Sequence, residues 1–348
     1  MLSEKLKKTE YQGAARLIDK ADRIVIFTHI SPDGDAVGST TAMLQYLRKL
    51  KKEVSAIVYN RFPDFLAWIP CSDEIHIYEN EQEVCDKLIE LADMFICLDI
   101  GEWKRVGKLE EKVKSRMAET ENGTAKPFTS IVIDHHEDPT MKPDILISYP
   151  DSPSTCELVF RLICRVGDFK LIDLQMATCI CTGMMTDTGN FSYNANDVDS
   201  YYILSELVRL GVDKNTIYQK VFQAYSADRM RLMGYCLYHS MKLFPKQHCA
   251  LIALSKRELM RFNFTSGDAE GLVNIPLSIN DICYSVFMRE DVDKIKISFR
   301  SQGLDHPVNE LARQYFNGGG HVNAAGGELY GDFSEAVKKV EQVILERL

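Results

Sequence analysis

The sequence contains no CxxC pair and no long apolar run, and these absences argue against an extracellular disulfide-bonded protein and against a membrane protein. Its ten cysteines lie partly inside apolar segments, which suits small buried thiols in a reducing compartment better than a disulfide framework. No apolar run approaches the roughly 18 residues of a membrane span, and the N-terminal stretch lacks the apolar core of a signal peptide. We therefore expect a cytoplasmic protein with no membrane partner.

The sequence also lacks a surplus of basic residues. Its formal net charge is −9 and its pI is near 5.5, which argues against binding of long duplex nucleic acid by phosphate neutralisation. A small anionic substrate held by metal ions and a few local cations stays compatible with this charge. A length of 348 residues with 45% hydrophobic content predicts about two domains. The polar stretch Ser115–Pro127 is expected to be a surface insertion without chemistry.

Three predicted strands in the first half of the chain each end in histidine or aspartate side chains. The strands are apolar runs rich in β-branched residues, and the helical patterns between them predict βαβ units and a parallel sheet. The polar residues are His29, Asp33 and Asp35 after residues 23–28, Asp99 after residues 94–98, and Asp134, His135 and His136 after residues 130–133. Ligand sites in open α/β sheets lie at the carboxyl ends of strands, so this coincidence predicts a metal site.

Several of these features also have a plainer explanation. Asp33 and Asp35 flank a glycine next to a proline, so on their own they could form a solvated turn. Asp187 follows a nearly all-apolar predicted helix and is either a turn residue or a further ligand. We favour the ligand, because the clusters need another carboxylate to complete two metal shells. Ser154 and Glu157 match a capping box, so we expect them to have a structural role.

The second half of the chain has several predicted strands with few helices between them, which indicates a separate α+β domain from about residue 230. It contains a glycine run followed by histidine: Gly318, Gly319, Gly320 and His321. Glycine allows backbone N–H groups to approach an anion closely, and Arg300 at a strand end would add positive charge. A phosphate site and a flexible turn both stay open for this run.

In combination and in order, these motifs resemble the DHH phosphoesterases that carry a C-terminal DHHA1 domain. The resemblance covers nearly the whole chain and depends on His29, Asp33, Gly34, Asp35, Gly38, Ser39, Asp99, Asp134, His135, His136, Asp187, the run from Gly318 to His321, and Ala324, Ala325 and Gly326. The chain resembles most the short bacterial group that hydrolyses very short oligoribonucleotides and 3′-phosphoadenosine 5′-phosphate (pAp). It departs from the pattern in the long insertion between Asp99 and the strand before Asp134.

The resemblance implies two divalent metal ions, usually Mn²⁺. One ion would be held by His29, Asp33 and Asp99, and the other by Asp35, Asp99, His135 and Asp187. Imidazole and carboxylate ligands without thiolate suit Mn²⁺ better than Zn²⁺. His136 would face the scissile phosphate or, alternatively, orient Asp134. Substrate would be bound by Arg300, Gly318, Gly319, Gly320 and His321.

The resemblance also implies an architecture and a reaction. We expect a doubly wound, mostly parallel α/β catalytic domain in residues 1–195, a helical linker in 196–230 and a smaller α+β domain in 231–348, with the active site in the cleft between domains. The expected substrates are short RNA oligonucleotides or small nucleotides such as pAp. A cyclic-di-AMP or pApA phosphodiesterase is the alternative among enzymes, and an inactive nucleotide-binding sensor is the alternative outside them. The sequence does not indicate the oligomeric state, and a homodimer is one possibility.

Overall fold

The computed structural model describes residues 4–121, 128–265, 267–303 and 305–348. The chain divides into two units, Met1–Ala224 and Tyr225–Leu348. Each unit has a six-stranded sheet of its own. Among the described residues, no helix combines the length and the apolar character that crossing a bilayer requires.

The first unit is built on a parallel sheet with the strand order β3-β2-β1-β4-β5-β6. Its strands are β1 Arg23–Phe27, β2 Glu53–Val58, β3 His76–Ile77, β4 Met94–Leu98, β5 Thr129–Asp134 and β6 Ile145–Ser148. Every adjacent pair is parallel. The strand order reverses between β1 and β4, which is the switch point where open α/β sheets bind ligands.

Helices cover both faces of this sheet, which confirms the predicted doubly wound architecture. The helices of the first unit are α1 Lys8–Lys20, α2 Gly34–Lys49, α3 Gln82–Leu91, α4 Leu109–Glu121, α5 Thr155–Val166, α6 Leu174–Asp187, α7 Val198–Arg209 and α8 Lys214–Phe222. Ile24 and Ile26 of β1 lie in one core with residues of α2, α5 and α6. Val25 and Phe27 lie in the other core, with residues of α3 and α4. This alternation follows from the two-residue period of a strand.

Helix α4 is preceded by a short irregular segment. A 3₁₀ turn over Trp103–Val106 comes first, and Gly107 at φ +67° interrupts the helical backbone before α4 starts. Arg116, within the predicted surface insertion, is buried, and its Nη2 donates to the carbonyl oxygen of Ala92 at 2.9 Å. That part of the insertion therefore packs into the unit, while residues 122–127 lie outside the described residues.

The last two helices of the first unit fall in the stretch expected to be a linker. Ile203 and Leu207 of α7 and Ile217 and Val221 of α8 all lie in the same core as α2 and α6. These helices pack on the first unit because each presents an apolar stripe to it.

The second unit contains a mixed sheet with the order β11-β12-β10-β9-β8-β7. Its strands are β7 Met241–Phe244, β8 Cys249–Leu254, β9 Tyr284–Glu290, β10 Ile295–Ser301, β11 Gly319–His321 and β12 Ala324–Leu329, and its helices are α9 Ala227–Tyr235, α10 Lys256–Arg261, α11 Asn309–Tyr315 and α12 Phe333–Arg347. Among the described strands of this second sheet, only β8 and β9 pair in parallel. One face packs against α11 and α12 and the other against α9 and α10, which confirms the α+β class.

The glycine run was expected to be a turn or a phosphate loop, and most of it is a strand. Gly319 pairs with Gly326, and His321 pairs with Ala324 in an antiparallel hairpin. A Cβ on Gly318 would lie 1.9 Å from the carbonyl oxygen of Gly326. Close packing between backbones therefore explains the glycine at position 318.

Candidate metal centre

Six elements bring polar side chains together at the carboxyl ends of β1, β4 and β5. Asp99 and His135 directly follow β4 and β5, and His29 lies two residues after the end of β1. The N-terminal ends of α2 and α5 and the C-terminal end of α6 add further groups. All the site residues predicted in the first half of the chain lie in this region: His29, Asp33, Asp35, Asp99, His135, His136 and Asp187.

Asp99 lies at the centre of this group. Its Oδ2 is 3.2 Å from Nε2 of His29, and its Oδ1 is 3.5 Å from Nε2 of His135. Its carboxylate belongs to three clusters of potential metal ligands, one with His29 and Asp33, one with Asp35 and His135, and one with Asp134 and His136, each within 4.8 Å. The backbone of Asp99 has φ +62°, a left-handed conformation that is costly for a non-glycine residue. This geometry allows one carboxylate to be shared between two cations.

Backbone carbonyl groups fix the orientation of two histidine rings. Nδ1 of His29 lies 2.8 Å from the carbonyl oxygen of Ile30, and Nδ1 of His135 lies 3.1 Å from that of Ser152. Each ring therefore directs Nε2 towards the carboxylates. Histidines that bind metals usually donate their other ring nitrogen to a backbone carbonyl or carboxylate in this way.

Asp35 is held by the first turn of α5. Its Oδ2 accepts a hydrogen bond from the backbone N–H of Thr155 at 2.6 Å, and its Oδ1 accepts one from Cys156 at 2.9 Å. A Cβ on Gly183 of α6 would lie 2.2 Å from Sγ of Cys156 and 2.8 Å from Oδ1 of Asp35. The glycine therefore allows α6 to approach this carboxylate closely.

Asp33 has a structural contact besides its place in the cluster. Its Oδ1 accepts hydrogen bonds from the backbone N–H groups of Asp35 and Ala36, both at 3.0 Å, so it is the N-cap of α2. The same oxygen is 3.8 Å from Nε2 of His29. Its side chain is 48% exposed. The turn predicted from sequence is therefore present, and it presents the carboxylate to the cluster.

The charges of these groups favour a cation among them. Burial alone would lower the pKa of His29, but its contacts with Asp33 and Asp99 outweigh burial and raise that pKa to about 10. Burial, reinforced by the charges of Asp99 and Asp187, raises the pKa of Asp35 well above its usual range. Buried carboxylates this close together are unfavourable unless positive charge compensates them. Oxygen and imidazole donors without thiolate fit a hard divalent ion such as Mn²⁺ or Mg²⁺.

The metal fit is supported by one buried nitrogen atom. Nε2 of His29 makes no hydrogen bond of good geometry to any residue in the described ranges, although it faces Asp33 and Asp99. Such a nitrogen is costly to bury without a partner. A metal ion among the three side chains would supply that partner.

His136 is oriented by its neighbour in the motif. Its Nδ1 lies 2.7 Å from Oδ1 of Asp134 and 3.6 Å from Oδ1 of Asp99. Asp134 is fully buried. Burial and the nearby Arg105 lower the pKa of His136, against the opposing effect of Asp134. Asp134 therefore orients the His136 ring, whose Nε2 lies on the other side.

Thr155 is a contact of the site that the sequence did not reveal. Its Oγ1 donates to Oδ1 of Asp99 at 3.0 Å, and the side chain is buried. The capping pattern located the start of α5 correctly, because Oγ of Ser154 accepts from the N–H of Glu157 at 3.2 Å. The Glu157 carboxylate, however, binds Arg161 and Ser200, so only half of the capping box is present.

The substrate-binding residues predicted in the second half lie together in the second unit. Arg300 of β10 and His321 of β11 both pair with Ala324 of β12. Directly paired residues project from the same face of a sheet, so the two side chains share a face with their strands about 10 Å apart. We call this pair the Arg300–His321 rung.

Comparisons with known proteins agree with these features. A model described as the DHH family, N-terminal domain, matches residues 23–184, and a DHHA1 domain model matches residues 250–346. A Thermus thermophilus protein named bifunctional oligoribonuclease and PAP phosphatase is 28% identical over 332 residues, covering 93% of this chain and 90% of that protein. A Bacillus subtilis protein with the same name is 25% identical over 317 residues, covering 90% and 92%.

A solved structure is similar over the same length. The crystal structure of an exopolyphosphatase-related protein from Bacteroides fragilis is 47% identical and covers 99% of this chain and 98% of that chain, with a TM-score of 0.90. The similarity to this structure therefore spans both sheets.

Proposed function

Because the chain belongs to the DHH family of phosphoesterases and also carries a DHHA1 domain, we propose that it hydrolyses short oligoribonucleotides and pAp. The relatives named as oligoribonuclease and PAP phosphatase align over about nine tenths of the chain, which supports this substrate class. The observation that carries the proposal is the carboxylate of Asp99, which lies within reach of two clusters of metal ligands at once.

We assign the cluster residues to two divalent ions, with Mn²⁺ preferred. His29, Asp33 and Asp99 would hold one ion, and Asp35, Asp99, His135 and Asp187 would hold the other. When bound, such a pair of ions polarises phosphoryl oxygens and lowers the pKa of the attacking water. The absence of thiolate from the donor set supports Mn²⁺ over Zn²⁺.

The remaining residues have roles that do not require ligation. Asp134 fixes the ring of His136, and the opposite nitrogen of that ring would contact the scissile phosphate. Arg300 and His321 would bind a second phosphate of the substrate, since a guanidinium and an imidazole on one sheet face suit an anion. Gly319 leaves open space where a Cβ would stand, so its backbone is accessible to a ligand.

All ten cysteines are free thiols, and burial raises the pKa of several, such as Cys97, to about 12. Thiols of this kind are inert and need no oxidising environment, which supports placing the protein in the cytoplasm.

The test is a comparison of substrates with the intact chain. The panel contains pAp, pApA, cyclic-di-AMP, RNA dinucleotides to pentamers, and inorganic polyphosphate, each with Mn²⁺, Zn²⁺ or a chelator. We expect hydrolysis of the dinucleotide and pAp with Mn²⁺, less with Zn²⁺, and none after exhaustive chelation. Asp99→Asn should abolish turnover, and Asp64→Asn, at an 86% exposed position on the same unit, should leave it unchanged.

Each of the other possible results would identify one of the alternative functions. A preference for cyclic-di-AMP or pApA would make the chain a phosphodiesterase of those molecules. A preference for polyphosphate would contradict the proposed substrate class. Tight nucleotide binding without turnover under any metal condition would identify a sensor.

A further inference from the structure

The second unit has a cavity that is separate from the Arg300–His321 rung. Its volume is ≈ 650 Å³, and it is lined by Tyr235, Ser255, Arg257, Glu258 and Arg261. These residues come from the end of α9 and from α10 with its N-cap. No role in the proposed reaction has been given to any of them.

This region is basic although the chain as a whole is acidic. Residues 225–264 contain seven lysines or arginines and two acidic residues, in a chain of net charge −9. Arg257 and Arg261 are exposed, and no carboxylate in the described ranges lies within 4.0 Å of either guanidinium. The carboxylate of Glu258 accepts hydrogen bonds from Tyr235 at 2.5 Å and from Ser255 at 2.6 Å. Donors therefore already surround the acidic group, while the two arginines keep their charge for a ligand.

Aromatic rings lie next to these arginines. Tyr235 stacks on His239 with ring centroids 5.3 Å apart at 27°, and Arg261 lies 5.7 Å from the Tyr235 ring. Tyr238 is 85% exposed. It belongs to the π-helical turn Cys236–Ser240, a rare conformation that often occurs at functional sites. Exposed rings beside arginines form the surface on which proteins stack single-stranded bases. We call Tyr235, Tyr238, His239, Arg257 and Arg261 the basic aromatic patch.

The patch lies on the same face of the second sheet as Arg300. Ser298 pairs with Phe287, and Phe287 packs with Leu232 of α9 and Leu259 of α10. Because Arg300 is two residues from Ser298, its side chain projects from that face as well. A ligand could therefore contact both without passing around the edge of the sheet.

The strand register gives the separation between them. Arg300 pairs with Ser285 of β9, whereas Leu254, which precedes the N-cap of α10, pairs with Arg289. Four residues of strand amount to about 13 Å along the sheet, and β10 and β8 lie two strand spacings, about 10 Å, apart across it, which together give about 16 Å. A stacked strand rises about 3.4 Å per nucleotide, so about five nucleotides span this distance. A dinucleotide at the rung would not reach the patch.

We propose that the basic aromatic patch binds single-stranded RNA of about five or more nucleotides, as an anchor distinct from the Arg300–His321 rung. The choice of RNA as the ligand depends on the proposed function. The arginines would contact phosphates, and the rings would stack on bases.

The test measures binding rather than turnover. Fluorescence anisotropy with labelled RNA 2-mers and 6-mers, in chelator to prevent hydrolysis, would be compared for the wild type and Arg257→Gln/Arg261→Gln. We expect the Kd of the 6-mer to rise at least tenfold and that of the 2-mer to stay the same. The dependence of log K on log salt should fall by about 1.4, since each phosphate contact on a single strand contributes about 0.7. Tyr238→Ala should weaken 6-mer binding about fivefold or more.

The control removes the same charge elsewhere in the unit. Lys338→Gln/Arg347→Gln affects exposed residues of α12 and should leave 6-mer binding intact. Equal 6-mer affinity in the patch variant and the wild type would overturn the proposal, as would an equal loss in the α12 control or an equal loss for the 2-mer. A change of oligomeric state in the patch variant without loss of RNA binding would also overturn it, in favour of a protein interface. Loss of 6-mer binding in a chain that hydrolyses no oligonucleotide would support the patch and refute the proposed function.

Discussion

Thr155→Val tests whether a buried hydroxyl group orients the carboxylate of Asp99 in the candidate metal centre and so raises its metal affinity. The substitution preserves the branched shape of the side chain and removes the donor that lies 3.0 Å from Oδ1 of Asp99. The backbone N–H of Thr155, which binds Asp35 at 2.6 Å, stays in place. The change is therefore confined to one hydrogen bond to Asp99.

The expected effect is large because the bond is buried and its acceptor is charged. Such bonds contribute about 1.5–3 kcal/mol, and substitutions of groups that orient metal ligands cost about 10- to 100-fold in metal affinity. We expect the Mn²⁺ affinity of Thr155→Val to fall within that range in isothermal titration calorimetry. Activity should recover substantially at saturating Mn²⁺, because all the proposed ligands remain.

Two variants serve as controls for this prediction. Thr155→Ser keeps the hydroxyl and should keep near-normal Mn²⁺ affinity. Thr182→Val removes another buried hydroxyl, one that donates to Thr178 within α6, and should not alter Mn²⁺ affinity. Wild-type affinity in Thr155→Val would refute the reasoning, and so would equal losses in the Val and Ser variants.

Three further substitutions test packing and charge, each measured by unfolding. Gly318→Ala should cost at least about 1–3 kcal/mol, since its Cβ would meet a carbonyl oxygen at 1.9 Å, whereas Gly319→Ala has open space and should be tolerated. Arg161→Leu should cost about 3–5 kcal/mol, because it leaves the buried Glu157 carboxylate without its cationic partner, and adding Glu157→Gln should recover part of this. Asp187→Asn should preserve or raise the Tm without metal by removing one like charge. It should also reduce the rise in stability that Mn²⁺ gives the wild type, about 2.7 kcal/mol at 100 times Kd.

Each of these predictions has an outcome that contradicts it. Equal unfolding free energies for the two glycine variants would show that backbone packing does not restrict position 318. A stable Arg161→Leu protein would mean that the hydrogen bond from Ser200 is enough to stabilise the buried Glu157 carboxylate. A full Mn²⁺-induced rise in Asp187→Asn would exclude this carboxylate from the metal site.

The sequence predicted the first sheet well because its strands are continuous apolar runs. Residues of β1, β4 and β5 are buried on both faces, and such strands contrast sharply with the polar residues that follow them. Parallel strands bring their carboxyl ends to one edge, so the strand-end residues could be expected to meet. This is why His29, Asp99 and His135 lie together as anticipated.

The sequence did not reveal two short strands, β6 and β11. Gly319 and Gly320 form most of β11, and glycine is unfavourable in isolated strands, so pairing with β12 decides their conformation. Ile145–Ser148 is a short edge strand whose partner is known only from the fold. Tertiary contacts determine both of these elements.

The contacts of Thr155 with Asp35 and Asp99 could not be predicted from the residues at the strand ends. Thr155 contacts Asp99 and Asp35, which are 56 and 120 residues away in sequence, because the fold places the start of α5 at the same edge of the sheet. A threonine next to a capping serine gives no sign of that contact in the sequence. The structure also shows that the first turn of α5 has a second role. Its amide groups would be orphan donors in an isolated helix, and two of them bind the carboxylate of Asp35.

The free energy that the folded protein loses by forming this cluster supports a functional role for the cluster. Asp99 has a left-handed backbone at φ +62°, which costs about 1–3 kcal/mol, and its carboxylate is buried beside those of Asp35 and Asp134. A sheet edge that served packing alone would place apolar side chains at these positions and avoid both penalties. His29 and His135 already offset part of this repulsion, and cations between the carboxylates would offset more of it, so we expect the arrangement to be more stable with the ligand it is proposed to bind. Stability that depends on metal in this way follows from a site selected for chemistry rather than for folding.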